Sequence, residues 1–155
     1  ARRREQQRWQ RGGEALEMVS AMNTGHEGSL TTLHANSPRD AISRLEVMIL
    51  MAGMDMPLAA IREHIASSID FIIQQTRLSD GRRVISSIVE IGGMESGIVK
   101  SQEIFRFQRG SQSGFYGLGI RPKRFEQLKE EGVPIDISHF SQSTKASSMN
   151  TQVLH

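Results

Sequence analysis

Apolar residues first recur regularly after Glu14, where Leu16, Val19 and Met22 stand at helical spacing up to Asn23-Thr24-Gly25, a helix stop. Before that point Trp9 is the sole large apolar side chain, and residues 1–10 are expected to form a disordered arm. Leu30 to His34, with adjacent Thr31 and Thr32 and flanked by Gly28 and Asn36-Ser37-Pro38, predicts a short strand. The next helix has the clearest start in the chain: Ser37 suits the N-cap, Pro38 the first turn and Asp40 the third position of a capping box. Ile42, Leu45, Ile49 and Ala52 mark one face, and Val47 to Met51 is apolar all round, which predicts burial on several sides before Gly53 ends the helix. A second helix is expected from Pro57 to about Ile69, with Ile61, Ile65 and Ile69 inside and Arg62 and Glu63 outside.

The period then shortens. Phe71–Leu78 and Val84–Ile91 flank Asp80-Gly81, the dipeptide of a tight hairpin. Gly92-Gly93 is expected to break the run, Glu95-Ser96-Gly97 to turn the chain, and Ile98–Phe107 to add a third strand. Residues 108–120 read as a Gly/Ser/Gln-rich loop with Phe115 and Tyr116 as anchors, and Pro122–Glu131 as a short helix closed by Gly132. From Ser138 large apolar residues are sparse, which predicts a disordered tail over 138–155.

Composition narrows the classes. The 155 residues suit one domain, and Leu, Ile, Val and Phe make about a quarter of them, enough for a core. Net charge is only +2, yet the pI is about 9.4. Arg2, Arg3, Arg4, Arg8 and Arg11 against Glu5 give the first eleven residues +4, so the body carries −2. Such an arm supports at most weak, salt-sensitive, non-specific nucleic-acid binding, with no recognition helix or aromatic platform beside it. The absence of cysteine excludes disulfide, zinc–cysteine and thiol chemistry. No apolar run approaches a membrane span and the start lacks a secretory signal, so a soluble intracellular chain is expected.

Several chemistries fail on spacing. Lys100, Lys123, Lys129 and Lys145 include none that follows a glycine, so these residues contain no P-loop. His26-Glu27 opens like a zinc-protease motif, but Leu30 stands where the second histidine belongs. Gly110–Gly114 has Gln112 at the place of a nucleophilic serine. His26, His34, His64, His139 and His155 show no metal-ligand spacing.

What remains is a specific string: Arg11-Gly12-Gly13-Glu14-Ala15-Leu16, then Ala21-Met22-Asn23-Thr24-Gly25-His26-Glu27-Gly28-Ser29-Leu30-Thr31-Thr32-Leu33-His34-Ala35-Asn36-Ser37-Pro38-Arg39-Asp40-Ala41. It closely resembles the CpaF-type secretion and pilus-assembly ATPases, within the type II/type IV secretion ATPase superfamily. The resemblance runs from Arg11 to about Phe107 and, more loosely, through Gly119-Ile120-Arg121-Pro122, so residues 11–137 are expected to be the C-terminal part of such an ATPase domain. It implies an α/β fold: the C-terminal part of a RecA-like P-loop ATPase core, with a His-box strand and flanking helices, then a trailing antiparallel sheet and short helix. The intact family is similar in using ATP and Mg in a homohexamer at the cytoplasmic face of the bacterial inner membrane, beside secretion or pilus platform proteins.

The same resemblance makes His34 the His-box histidine, ending a core strand that faces the nucleotide and donating an N–H to a terminal phosphate oxygen. Without it, a lone strand-end histidine reads as one bonded to nearby backbone. Arg11 matches the arginine after the family's Walker B glutamate; phosphate or subunit contact and membership of a solvated arm both stay open. Gly25 and Gly28 read as loop glycines around His26 and Glu27. Arg39, Arg44, Arg82 and Arg83 read as solvated charge or as cations for a partner's acid, and Met48, Met51, Met54 and Met56 as core or subunit-packing residues. Counting back from Arg11, the family's Gly-Glu-Val positions hold Arg8, Trp9 and Gln10, so the catalytic glutamate is missing and the sequence resembles a truncated or frame-shifted copy. The expectation is a C-terminal secretion-ATPase portion that neither holds ATP tightly nor turns it over alone. The alternative is a non-catalytic module that assembles with full-length ATPase subunits or the secretion platform.

Overall fold

The structure is a computed structural model and describes residues 30–51 and 55–142. The order is α1 (Pro38–Met51), α2 (Leu58–Ser68), β1 (Phe71–Arg77), β2 (Arg83–Glu95), β3 (Ile98–Gln108), β4 (Gly114–Gly117), α3 (Lys123–Glu130) and a 3-10 turn (Ile137–Phe140). The four strands form a sheet in the order β1-β2-β3-β4. Helices and an antiparallel sheet together make a mixed α/β architecture. By contacts the chain divides into two compact units, Ala1–Ile72 with Ile91–Ser101, and Ile73–Glu90 with Gln102–His155.

The first unit is built on isoleucine. Ile42, Leu45 and Ile49 of α1 pack with Ile61, Ile65 and Ile69 from α2 and its C-cap, and with Ile91 and Val99 of the β2–β3 hairpin. Ile49, Ile61 and Ile65 are fully buried. Spacings of three and four residues place each set on one helix face, as the periodicity predicts. The expected cap forms with one change of partner: Asp40 N–H donates to Ser37 Oγ (3.1 Å), while the Asp40 carboxylate reaches one residue past the N-cap and accepts from Asn36 N–H (2.9 Å). Ser37→Ala is expected to cost about 1 kcal/mol, read as a lower urea midpoint with an unchanged m-value.

Several expectations are corrected. Residues 30–35 form no strand; a strand requires a pairing neighbour, and none lies beside them among the described residues. Val47, Leu50 and Met51 are exposed (Met51 at 80%), so α1 buries one face there rather than several. Met48 and Met56 do pack against the core, while Met54 lies outside the described residues. Arg62 is not simply outside. Its guanidinium bonds the Glu46 carboxylate at 2.9 and 3.4 Å and the Gly97 carbonyl at 3.1 Å, joining α1, α2 and the β2–β3 turn. The expected helix over 14–23 and the arm over 1–10 lie outside the described residues.

In the second unit the expected loop over 108–120 contains β4, which pairs antiparallel with β3: Phe105 opposite Gly117 and Phe107 opposite Phe115. Nor do Gly92 and Gly93 end β2, which continues to Glu95; glycine within a strand marks an irregularity rather than an end. The tail reading also changes at its start. Phe140, in the stretch expected to be disordered, is buried and contacts Phe105 (5.3 Å between centroids) and Phe125 (4.8 Å, edge to face). Gly119 N–H donates to the Phe140 carbonyl at 2.7 Å. A Cβ at Gly117 would stand 2.8 Å from backbone atoms of His139 and Phe140, so only glycine lets the 3-10 turn approach β4 this closely. Residues 143–155 lie outside the described residues.

Candidate functional site

His34 lies in an irregular segment leading into α1. Leu33 and Ala35 on either side are half-buried, and Leu33 packs against the isoleucine core. His34 between them is exposed, so its side chain lies on the outer side of the segment. It makes no hydrogen bond among the described residues. Two residues later the hydrogen bonds of Asn36, Ser37 and Asp40 fix the start of α1, so the backbone on either side of His34 is anchored while the imidazole itself is exposed. An outward imidazole near a helix N-terminus is suited to an oxygen-rich anion, because the ring donates an N–H while the helix end carries partial positive charge. Arg11, the second expected site residue, lies outside the described residues, as do His26 and Glu27.

The other arginines separate by their partners. Arg44 pairs with Asp40 at 3.3 Å across one helix turn, and Arg39 is exposed. In the β1–β2 turn, Arg82 donates through its backbone N–H to Asp80 Oδ1 (3.0 Å) and through Nε to Oδ2 (2.7 Å). The Arg82 backbone N–H first, and then its side chain, hold the Asp80 carboxyl below the usual carboxylate range. A depressed folded value means that this contribution is complete above the ordinary aspartate range and is lost as pH falls through the lower folded value. The stability difference between wild type and Asp80→Asn is therefore expected to stay constant above about pH 5 and to shrink toward zero in stronger acid. Paired urea titrations across that range check it, and a difference that grows in acid would oppose it.

Sequence reasoning missed Glu90, the one acidic residue in the apolar run Ile88–Ile91. It is 1% exposed. Its Oε2 accepts from Gln102 Nε2 (2.6 Å) and from Lys123 N–H (3.0 Å), while Oε1 accepts from Arg124 N–H (3.2 Å). Lys123 and Arg124 are the first two residues of α3, and the residue before them is Pro122, which supplies no capping side chain. Glu90 thus caps α3 from a strand more than thirty residues away. The signal was an unmatched carboxylate in a strand that otherwise reads as buried.

Among the described residues no three His, Cys, Asp or Glu side chains gather as metal ligands, and no helix is long and apolar enough to cross a membrane.

Comparison with known proteins identifies the family. The chain is 32% identical over 100 residues to a putative conjugal transfer protein of Mycobacterium tuberculosis, covering 64% of this chain and 28% of that protein. It is 31% identical over 101 residues to the conjugal transfer protein TrbB of Rhizobium radiobacter, covering 65% and 30%. It is 34% identical over 65 residues to the type IV secretion system protein VirB11 of Brucella suis, covering 41% and 18%. The matched segment spans less than a third of each relative. Residues 10–109 match the family described as type II/IV secretion system protein, most of the chain and all of the His34 segment, α1, α2 and the first three strands, and the chain belongs to that family.

Proposed function

We propose that these residues are the C-terminal portion of a CpaF-type secretion ATPase with a RecA-like core, whose ATP hydrolysis powers pilus assembly or type II/IV secretion. The observation that carries the reading is His34: an outward imidazole, on backbone anchored by Leu33 and by the capped start of α1, within the segment the family match covers. Its N–H donates to a terminal phosphate oxygen of ATP and loses that partner when the phosphate leaves. Arg11, next to the family's glutamate position, adds a second cation toward phosphate or a neighbouring subunit.

The residues given do not fit a complete ATP–magnesium site. None of their lysines follows a glycine, and Trp9 stands at the family's glutamate position. His34 is one donor; the phosphate cradle and the magnesium ligands belong to a P-loop portion, and the glutamate that polarises water is replaced here by that tryptophan. By family resemblance the working state is a homo-oligomer, a hexamer in the intact family, at the cytoplasmic face of the inner membrane beside platform proteins. Phosphate release by the purified 155-residue chain is expected to match buffer alone. Turnover that survives His34→Ala would contradict this reading.

A second reading has its own support. The exposed Val47, Leu50 and Met51 on α1 form an apolar face of the kind that partners cover, which suits a non-catalytic module joining full-length ATPase subunits or the platform. Recovery of the chain in mixed assemblies with a P-loop-bearing subunit, without change in turnover, would favour it.

A further inference from the structure

Two surfaces of the second unit complement each other in charge and apolar character. The first is a cleft of about 220 Å³ where the β1–β2 turn meets the start of the β3–β4 turn. Leu78 and Phe107 give it apolar walls, Ser79 and Ser113 hydroxyls, and Arg82 and Arg109 positive charge. Arg82 is neutralised by Asp80, but Arg109 has no ion pair or side-chain hydrogen bond among the described residues. Arg77, held to the Gly81 carbonyl at 3.3 Å, and the exposed Arg83 bring these turns to a net +3. The volume falls below the roughly 300–1,000 Å³ of small-molecule sites. It accommodates a carboxylate side chain with an apolar neighbour, and not a nucleotide.

The second surface is the end of α3. Val133 N–H bonds the Leu128 carbonyl (2.9 Å) and Gly132 N–H the Lys129 carbonyl (3.0 Å), with Gly132 at φ 80°. These are the paired bonds of a Schellman stop, which fixes the segment instead of leaving it loose. It presents Leu128 and Val133, 37% and 43% exposed, beside Glu130 and Glu131. With Glu126, Lys129 and Asp136 the charge from 126 to 136 is −3. Glu126, Glu130 and Glu131 have no ion pair among the described residues. A preformed acidic and apolar knob and a basic and apolar cleft thus sit on one unit, and Arg109, Glu126, Glu130 and Glu131 have no ion-pair partner among the described residues.

We propose that the Leu128–Val133 knob of one copy seats in the Arg82–Arg109 cleft of the next. The two surfaces differ, so the contact is head-to-tail: each copy offers one knob and one cleft, and successive copies form a ring or an open chain. Glu130 and Glu131 face the unpaired Arg109 and the flanking arginines, and Leu128 and Val133 cover Leu78 and Phe107. This interface rests on the homo-oligomer reading above and names its surfaces.

A charge exchange in the full chain tests it by sedimentation equilibrium over a dilution series at low and high salt. Wild type is expected to associate, and less so in high salt. Arg109→Glu and the double variant Glu130→Lys/Glu131→Lys each lower the association constant about tenfold or more, a change of at least ~1.4 kcal/mol. An equimolar mixture of the two recovers association, because the native knob of one meets the native cleft of the other and the two reversed surfaces also match. All three side chains are exposed, so the circular dichroism spectra stay unchanged. Variants that associate like wild type, or a mixture no stronger than its components, overturn this interface and leave the homo-oligomer reading intact. A wild-type chain that is monomeric throughout overturns both.

Discussion

Glu90→Ala is expected to lower the unfolding free energy by about 3 kcal/mol. The carboxylate is buried and accepts three hydrogen bonds, two of them from the otherwise uncapped N–H groups of Lys123 and Arg124. Alanine removes all three acceptor contacts and leaves donors facing a small cavity that water enters poorly. Loss of the negative charge also removes a favourable partner for the positive end of α3. Glu90→Gln keeps one carbonyl oxygen but turns an amide N–H₂ toward donors, so it is expected to fall between wild type and alanine. Urea unfolding followed by circular dichroism measures the series. An alanine variant within about 0.5 kcal/mol of wild type, the range of ordinary surface substitutions, would show that Glu90 does not hold α3.

The second large effect concerns activity. In a chain that joins residues 11–155 to a portion carrying both the P-loop and the catalytic glutamate, His34→Ala is expected to reduce kcat about 10²–10³-fold, the cost of removing one preorganised donor from developing negative charge. KM for ATP is expected to change little, because the cradle that binds the nucleotide lies elsewhere, and a loss confined to kcat marks an interaction made as the phosphate departs. His34→Gln retains an N–H donor and should recover part of the loss. The exposed position of His34 makes a collapse of the fold an unsuitable explanation, and unchanged unfolding of His34→Ala would confirm that separation. A raised KM with normal kcat would instead assign His34 to ground-state binding.

Features governed by local chemistry were legible in the sequence. Ser37-Pro38-Arg39-Asp40 announced its helix cap, and Asp80-Gly81 its turn, because the partners lie within a few residues of each other. The isoleucine stripes of α1 and α2 followed from helical spacing alone. Features governed by distant partners were not. Glu90 caps a helix far along the chain, Phe140 is buried by Phe105 and Phe125, and β4 forms by pairing with β3, with Gly117 letting the 3-10 turn approach it. The strand expected at Leu30–His34 needs a neighbour that the described residues do not supply, and the exposed apolar face of α1 shows the same limit: periodicity marks which positions are apolar, not what covers them.

For the candidate site, spacing removed the alternatives and the family string singled out His34. The structure adds its outward orientation and the two anchors that hold the backbone on either side. Whether that imidazole meets a nucleotide is most directly read from its own ring. In a P-loop-bearing chain with isotope-labelled histidine, titration with a non-hydrolysable ATP analogue is expected to shift the His34 ring nitrogen signals in step with nucleotide occupancy. Signals that stay unmoved while the nucleotide site fills would contradict the assignment.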